Sequence, residues 1–152
     1  MKKLSLFVFA LFSFTLVTNA QVYTGAAGLG IDFGGGISFV GPSGKYFFQE
    51  NHAAQADIGF GTGVTALTFL YQYHGQFSGA DTLQWFAGVG PSIFLGNGGG
   101  SAFALRPEAG LDFKIPDVPL AFSFSWRPAI GLSNGGGFQA GAFGLGFRYA
   151  FD

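Results

Sequence analysis

The chain has 152 residues, of which 27 are glycine and 21 are phenylalanine, and its formal net charge is −1 with only 10% charged residues. It has no cysteine, which excludes a disulfide framework and a lipid anchor on an N-terminal cysteine. Its few lysines and arginines form no basic cluster, so nucleic acid is not expected as a partner.

Residues 1–20 have the pattern of a secretory signal peptide. Lys2 and Lys3 form a positive start, and residues 4–17 form an apolar stretch. Small residues lead up to Ala20, so we expect cleavage between Ala20 and Gln21. A membrane anchor helix is the alternative, but the apolar stretch is short for a span of about 20 residues. The expected organisation is therefore a signal peptide at 1–20 and one domain at 21–152.

Turn-forming residues divide the remaining chain into eight segments with strand character. The expected strands are 23–33, 36–48, 53–61, 64–74, 83–95, 102–115, 119–132 and 138–151. An even number of strands places both ends of the domain on the same side, as in bacterial single-chain barrels. Proline cannot donate to a ladder, so we expect a bulge at Pro42. Pro91, Pro107 and Pro128 also fall inside these strands, and there we expect either bulges or strand ends nearer than these bounds.

The clearest alternation lies at residues 103–115. One set of alternate positions is apolar, and the other contains Arg106, Glu108, Asp112 and Lys114. Successive side chains of a strand point to opposite faces. The run is roughly twice the usual strand length of about 5–6 residues, as crossing a bilayer on a tilted strand requires.

No apolar run of about 18 residues follows the signal, so a membrane helix is not expected. In lipid every backbone polar group must be paired, which only helices and closed barrels achieve. The sequence therefore predicts an all-β fold, an eight-stranded antiparallel up-and-down transmembrane β-barrel.

Tyrosine and tryptophan gather near the strand ends that share a side with both ends of the domain. Such residues favour the boundary between membrane and water. We expect a periplasmic aromatic girdle made of Tyr23, Tyr46, Tyr71, Tyr73, Trp85 and Tyr149.

The charged alternate positions are expected to face the lumen of the barrel. The predicted lumen charge network consists of Asp32, Asp57, Arg106, Glu108, Asp112, Lys114, Arg127 and Arg148, and the inward set also includes Lys45, Gln55, Gln72 and His74. An eight-stranded barrel has a lumen that side chains can fill, and an unpaired charge there is costly. A paired network in a plugged core is therefore favoured over an ion path.

The chain resembles the small eight-stranded bacterial outer-membrane β-barrels, and among them the Bacteroidota-type barrel family. The residues that carry the resemblance are 45–48 leading into 51–54, 71–74, 85–88, and 112–116 followed by 119–122. The resemblance implies an outer-membrane location and a C-terminal assembly signal, here Phe143, Leu145, Phe147, Tyr149 and Phe151. Asp152 departs from the terminal aromatic residue of that family. The resemblance implies no catalytic residue.

Some eight-stranded barrels modify lipid A with a serine and a histidine. His52 and His74 are the two histidines, and Ser78 follows His74 in a predicted loop, but no serine is placed beside either ring by the sequence. Glu108 and Asp112 would be about 13 Å apart on a strand, too far for a glycosidase pair. We expect no enzyme activity, no cofactor and no metal site.

The expected function is a structural or interaction role for a monomer in outer-membrane lipid, inserted by the barrel-assembly machinery. Three alternatives stay open: a lipid-modifying outer-membrane enzyme, a narrow channel, and a secreted lipocalin-like binding barrel. The direction in which Arg106, Asp112 and Arg127 point distinguishes the secreted lipocalin-like barrel from a membrane barrel. A water-soluble barrel would expose these three side chains on its outer surface.

Overall fold

The computed structural model describes residues 22–133 and 135–152, so the predicted signal peptide and the Ala20–Gln21 cleavage site lie outside the described residues. Ten β-strands and no helix occur in the described residues. The strands are β1 (Gly25–Gly34), β2 (Ile37–Gln49), β3 (His52–Gly61), β4 (Val64–Phe77), β5 (Ala80–Gly96), β6 (Ser101–Lys114), β7 (Leu120–Trp126), β8 (Ala129–Gly131), β9 (Phe138–Gln139) and β10 (Ala142–Phe151). Among these residues, no helix is long and apolar enough to span a membrane.

The strands close into a single antiparallel barrel. Each of β1 to β6 pairs with the next strand along the chain, and β10 pairs with β1 from Gly25↔Phe151 to Gly34↔Ala142. β7 and β8 together form the seventh strand of the wall, and β9 and β10 form the eighth. The predicted all-β, eight-stranded antiparallel barrel is confirmed. We call the end that holds the start of β1 and the end of β10 the terminal rim.

The two faces of the wall have opposite character. Large apolar side chains cover the outside, with Leu29 55%, Phe69 54% and Phe124 49% exposed. The inside contains charged side chains that are almost fully buried, such as Arg106 and Asp112, each 2% exposed. The barrel is therefore polar inside and apolar outside, which is the reverse of a water-soluble fold.

Neighbouring strands are staggered relative to one another. When the paired residues are followed once around the barrel, the path returns to β1 about 10 residues from its starting point, which is the shear of the barrel. In a barrel of eight strands, such a stagger tilts the strands by roughly 40° from the axis. It also leaves an interior that side chains can fill.

The bulge expected at Pro42 is wrong, and at Pro91 and Pro107 neither a bulge nor a strand end occurs. The registers continue without a shift past all three residues, and register shifts occur instead at 47–49 and 76–77, close to the terminal rim. At Pro128 the wall strand is interrupted between β7 and β8. The eighth wall strand, formed by β9 and β10, has one extra residue opposite this interruption. Trp126 pairs with Phe143 and Ala129 pairs with Gln139, so three steps along the seventh wall strand face four steps along the eighth.

At two of these prolines the register is kept although the ladder on one side lacks two pairs, at 41 and 42 of β2 and at 90 and 91 of β5. A glycine precedes each of these two prolines. A Cβ atom at Gly41 would lie 1.9 Å from the carbonyl oxygen of Ile58, and one at Gly90 would lie 1.8 Å from that of Phe69. The neighbouring backbone therefore approaches as closely as glycine allows. The strand thus accommodates Pro42 or Pro91 without an extra residue.

Pro107 is accommodated because it faces another proline. The pairs Leu105↔Ile130 and Ala109↔Trp126 place Pro107 opposite Pro128. Neither residue has an N–H group, so no donor is left unpaired at this position of the wall.

Candidate functional site

The interior of the barrel, which we call the bore, is the candidate site because it holds the charged side chains. Arg127 is the hub of its larger cluster. Its Nη2 and Nε atoms donate to Glu108 Oε1 at 2.7 and 3.0 Å, and its Nη1 donates to Asp57 Oδ2 at 2.9 Å. Arg106 forms a two-pronged pair with Asp32, with both N···O distances at 3.0 Å. Bidentate guanidinium–carboxylate pairs of this kind are strong and directional.

Neutral side chains complete the hydrogen bonding of the carboxylates. Ser125 donates to Glu108 Oε1 at 2.8 Å, and Gln72 donates to Glu108 Oε2 at 2.7 Å and to Gln55 Oε1 at 3.0 Å. Gln55 in turn donates to Asp57 at 2.9 Å. A buried charge is tolerated when it is both paired and hydrogen-bonded in this way.

Arg148 joins the cluster through hydroxyl groups. Its Nε donates to Ser43 Oγ and its Nη1 donates to Ser123 Oγ, both at 2.9 Å. Ser43 donates to Asp57. Arg148 is therefore linked to a carboxylate by way of one serine.

A smaller cluster lies nearer the terminal rim. Lys45 Nζ donates to Asp112 Oδ2 at 2.7 Å, and the Tyr23 hydroxyl donates to the same oxygen at 2.8 Å. Burial raises the pKa of the Tyr23 hydroxyl well above its usual range, and the Asp112 charge raises it further. The Lys45 ammonium also lies 4.7 Å from the centre of the Phe86 ring.

Aromatic rings fill the bore beside this smaller cluster. The ring centroids of Tyr23 and Phe47 are 5.3 Å apart, those of Phe47 and His74 are 4.7 Å apart, and those of His74 and Phe86 are 5.0 Å apart. A cavity of about 20 Å³ remains near Asp57 and Arg127. That volume has room for about one water molecule.

The four carboxylates in these clusters are Asp32, Asp57, Glu108 and Asp112, and the four cations are Lys45, Arg106, Arg127 and Arg148. Formal charge therefore balances among the described interior residues of the two clusters. The arrangement can hold the wall strands together across the bore.

Lys114 was expected in the lumen charge network, and the structure places it elsewhere. Its Nζ donates to the carbonyl oxygen of Val118, just beyond the end of β6, at 3.3 Å in an exposed position. The alternation assigns Lys114 to the inward face, but Lys114 is the last residue of β6 and therefore lies at the mouth of the barrel, at the terminal rim. Lys45 takes part in the network instead.

Tyr23 was expected in the aromatic girdle, but it is only 2% exposed and points into the bore. The other five residues lie on the outside near the terminal rim. Tyr46, Tyr71 and Tyr149 are exposed, and the half-buried Tyr73 and Trp85 have ring centroids 6.0 Å apart. Tyr23 precedes β1, where the strand alternation that separates the two faces gives no information.

Sequence reasoning also missed the roles of Ser43, Ser123 and Ser125. Ser123 and Ser125 occupy inward alternate positions of their strand, which was the available signal. Their function as hydrogen-bond donors and acceptors to Arg148 and Glu108 depends on strands from other parts of the barrel.

The residues of the predicted assembly signal form one outward stripe on β10. Phe147, Tyr149 and Phe151 are exposed, while Phe143 and Leu145 are half-buried on the same face. Their role in assembly stays a prediction.

The two histidines lie in different environments. His74 is fully buried, its Nε2 lies 3.1 Å from Gln72 Oε1, and its Nδ1 has no hydrogen-bond partner. His52 lies on the outer face, where its Nδ1 shares a hydrogen bond with the Tyr71 hydroxyl. Ser78 is exposed in the turn between β4 and β5. In the described part of the chain, no three or more acidic, histidine or cysteine residues are grouped so that they could hold a metal ion.

Comparison with models of protein families, with curated protein sequences and with solved structures gave no match to this chain.

Proposed function

We propose that this protein is an outer-membrane β-barrel with a structural or interaction role, exported by its signal peptide and inserted by the barrel-assembly machinery. The observation that carries the proposal is the inverted polarity of the wall. Apolar surface costs about 25 cal/mol per Å² when it is left in water, whereas a bilayer accommodates the same surface favourably. Leu111 is 44% exposed while its neighbour Asp112 is 2% exposed.

The strand lengths support a membrane location. A tilted strand needs about 9–11 residues to cross the hydrocarbon layer. Strands β1 to β6 and β10 have between 10 and 17 residues each. The exposed tyrosines near the terminal rim, Tyr46, Tyr71 and Tyr149, fit the boundary of the bilayer. In a barrel of the proposed type this rim faces the periplasm.

The filled bore favours a structural or interaction role over a narrow channel. The ring contacts from Tyr23 to Phe86 and the paired charges around Arg127 occupy the described interior. A secreted lipocalin-like barrel would direct Arg106, Asp112 and Arg127 outward, but all three are buried. A lipid-modifying enzyme is less favoured because the buried His74 ring contacts Gln72, Phe47 and Phe86.

Fractionation of the cell envelope tests this proposal. The full chain is expressed in a Gram-negative host, the inner and outer membranes are separated, and samples are run on a gel with and without boiling. We expect the protein in the outer-membrane fraction, with a heat-dependent change of mobility. A matched chain without residues 2–20 is expected to stay inside the cell. Recovery of the full chain in a soluble fraction, or in the inner membrane with no change of mobility, contradicts the proposal.

A further inference from the structure

We propose that Asn97 is a modification site, where the side-chain amide is converted to aspartate and isoaspartate with the backbone nitrogen of Gly98 as the attacking group. The product places a negative charge on the end of the barrel opposite the terminal rim, which we call the far rim. The inference concerns the turn between β5 and β6, and it does not depend on the proposed membrane location.

The far rim has no charged side chain among its described residues. Its turns are 35–36, 62–63, 97–100 and the described part of 132–137, and these residues are glycine, serine, threonine, leucine and asparagine. Outside the bore, the aspartate, glutamate, lysine and arginine side chains of the described residues lie at the terminal rim instead: Glu50, Asp81, Lys114, Asp117 and Asp152. A carboxylate at Asn97 would therefore be the first charge on a neutral rim.

Asn97 lies at the tip of an open turn. Residues 97–100 are all exposed, and no heavy atom lies within 4 Å of where a Cβ of Gly98 would be. Hydroxide and water therefore reach both the side-chain amide and the peptide bond that follows it. The same dipeptide recurs at 134–135, but Asn134 lies outside the described residues, so the proposal is confined to Asn97.

The backbone N–H group of Gly98 is free to react, whereas the N–H groups on either side of it are held. Asn97 donates to the carbonyl oxygen of Gly63 at 2.9 Å. Gly99 donates to the carbonyl oxygen of Gly96 at 3.1 Å. Gly98 itself donates to no acceptor among the described residues. Since glycine has no Cβ, it rotates freely and hinders the approach of its nitrogen to the preceding side chain least.

The reaction needs only hydroxide and water. Hydroxide removes the proton from the Gly98 nitrogen, and this nitrogen attacks Cγ of Asn97. The new C–N bond forms as the bond from Cγ to Nδ2 breaks, and Nδ2 takes a proton from water and leaves as ammonia. Water then opens the resulting succinimide. Attack at Cγ breaks the new bond and gives aspartate, whereas attack at the main-chain carbonyl carbon of Asn97 breaks the original peptide bond and gives isoaspartate.

Asn51, in the turn between β2 and β3, provides a comparison within the same chain. Its Nδ2 atom donates to the carbonyl oxygen of His74 at 2.8 Å, and the His74 backbone N–H donates to the Asn51 carbonyl oxygen at 2.7 Å. The next residue is His52, whose ring contacts those of Phe48 and Tyr73 at centroid distances of 6.1 and 5.3 Å. Both the amide and the following residue are held, so we expect Asn51 to stay unmodified.

The test is an incubation of the folded full chain in mildly alkaline buffer, followed by digestion with pepsin in acid and mass spectrometry of the peptides. Acid stops further reaction because the attacking nitrogen must lose its proton. We expect the peptide with Asn97 to gain the mass of deamidation in two separable forms, aspartate and isoaspartate, and the peptide with Asn51 to gain none. A synthetic peptide of residues 93–103 is incubated in parallel, and the folded chain is expected to react within tenfold of its rate.

Two variants identify the attacking nitrogen and the product. Gly98→Ala adds a methyl group in open space, so the fold is expected to stay unchanged, but the methyl group crowds the nitrogen and should slow the reaction at Asn97 at least tenfold. Asn97→Asp has the product charge from the start. On isoelectric focusing, the modified form of the unaltered chain is expected to migrate with this variant.

Three results would overturn the proposal. If Asn97 in the folded chain stays unmodified while the synthetic peptide reacts, the turn protects the amide. Aspartate without isoaspartate, or an unchanged rate in Gly98→Ala, excludes the succinimide and with it the role of the Gly98 nitrogen. Equal modification of Asn51 and Asn97 contradicts the selectivity derived from the two turns. Circular dichroism before and after incubation shows that the reaction is measured on the folded barrel.

Discussion

Replacing Arg127 by methionine tests whether the bore is held together by balanced charge. Arg127 pairs with Glu108 at 2.7 Å and with Asp57 at 2.9 Å, and it lies 3.7 Å from Asp32. The variant leaves three cations facing four carboxylates in the bore. Breaking a buried pair by removing one partner typically costs about 3–5 kcal/mol, because the other charge stays buried without compensation. We expect the free energy of unfolding to fall by about this amount.

The double variant Arg127→Met/Glu108→Gln separates charge balance from packing. It removes one cation and one anion, so the remaining three cations and three carboxylates balance again. Removing both partners of a buried pair is often close to neutral. We expect the double variant to recover at least half of the stability that the single variant loses.

The free energy of unfolding is measured with urea in lipid vesicles, by the fluorescence of Trp85 and Trp126 and by the fraction with heat-dependent gel mobility. Lys114→Met is the matched control. Its ammonium bonds at the exposed mouth of the barrel, so its loss is expected to cost under about 1 kcal/mol. The reasoning is refuted if Arg127→Met is as mild as this control, or if the double variant is no more stable than the single one.

Three further substitutions probe the wall and its backbone. Phe124→Arg puts a charge on the outer face near the middle of the seventh wall strand and should lower the free energy of unfolding in vesicles by about 2–4 kcal/mol, measured by urea unfolding. Tyr23→Phe removes the donor to Asp112 and should cost about 1.5–3 kcal/mol in the same assay. Gly90→Ala places a Cβ 1.8 Å from the Phe69 carbonyl oxygen and should cost about 1–3 kcal/mol, with slower folding into vesicles followed by gel mobility.

Each of these substitutions has a matched control that repeats the chemistry elsewhere. Phe138→Arg, at the end of the barrel opposite the terminal rim, is the control for Phe124→Arg. Tyr46→Phe on the outer face is the control for Tyr23→Phe, and Gly98→Ala in an open turn is the control for Gly90→Ala. Each control should change the free energy of unfolding by under about 1 kcal/mol. If a control lowers the free energy of unfolding as much as the substitution it is matched to, the structural explanation given for that substitution is refuted.

The interruption of the wall at Pro128 illustrates why some features needed the structure. Pro107 and Pro128 are 21 positions apart in the chain, and their facing arrangement follows from the register of β6 with β7 and β8. The carbonyl oxygen of Arg127 lies at this interruption of the wall strand, and it accepts a hydrogen bond from Arg106 Nη2 at 2.8 Å. A proline in a strand pattern signals a missing donor, but it does not reveal whether a bulge, a glycine or a second proline compensates for it.

The sequence by itself determined the number of strands, their approximate bounds and which side chains share a face. This was possible because the alternation of side chains is a local property of an extended chain. Leu111 and Asp112, for example, are assigned to opposite faces by their neighbours in the chain.

Only the tertiary structure decided which charges meet across the bore. Asp32 and Arg106 are 74 positions apart, and they pair because the stagger of the barrel brings them to one height. The inward turn of Tyr23 and the place of Lys114 at the mouth were likewise decided there, because both residues lie at strand ends. Periodicity assigns a face to a residue inside a strand, whereas its height and its partner depend on how all eight strands close together.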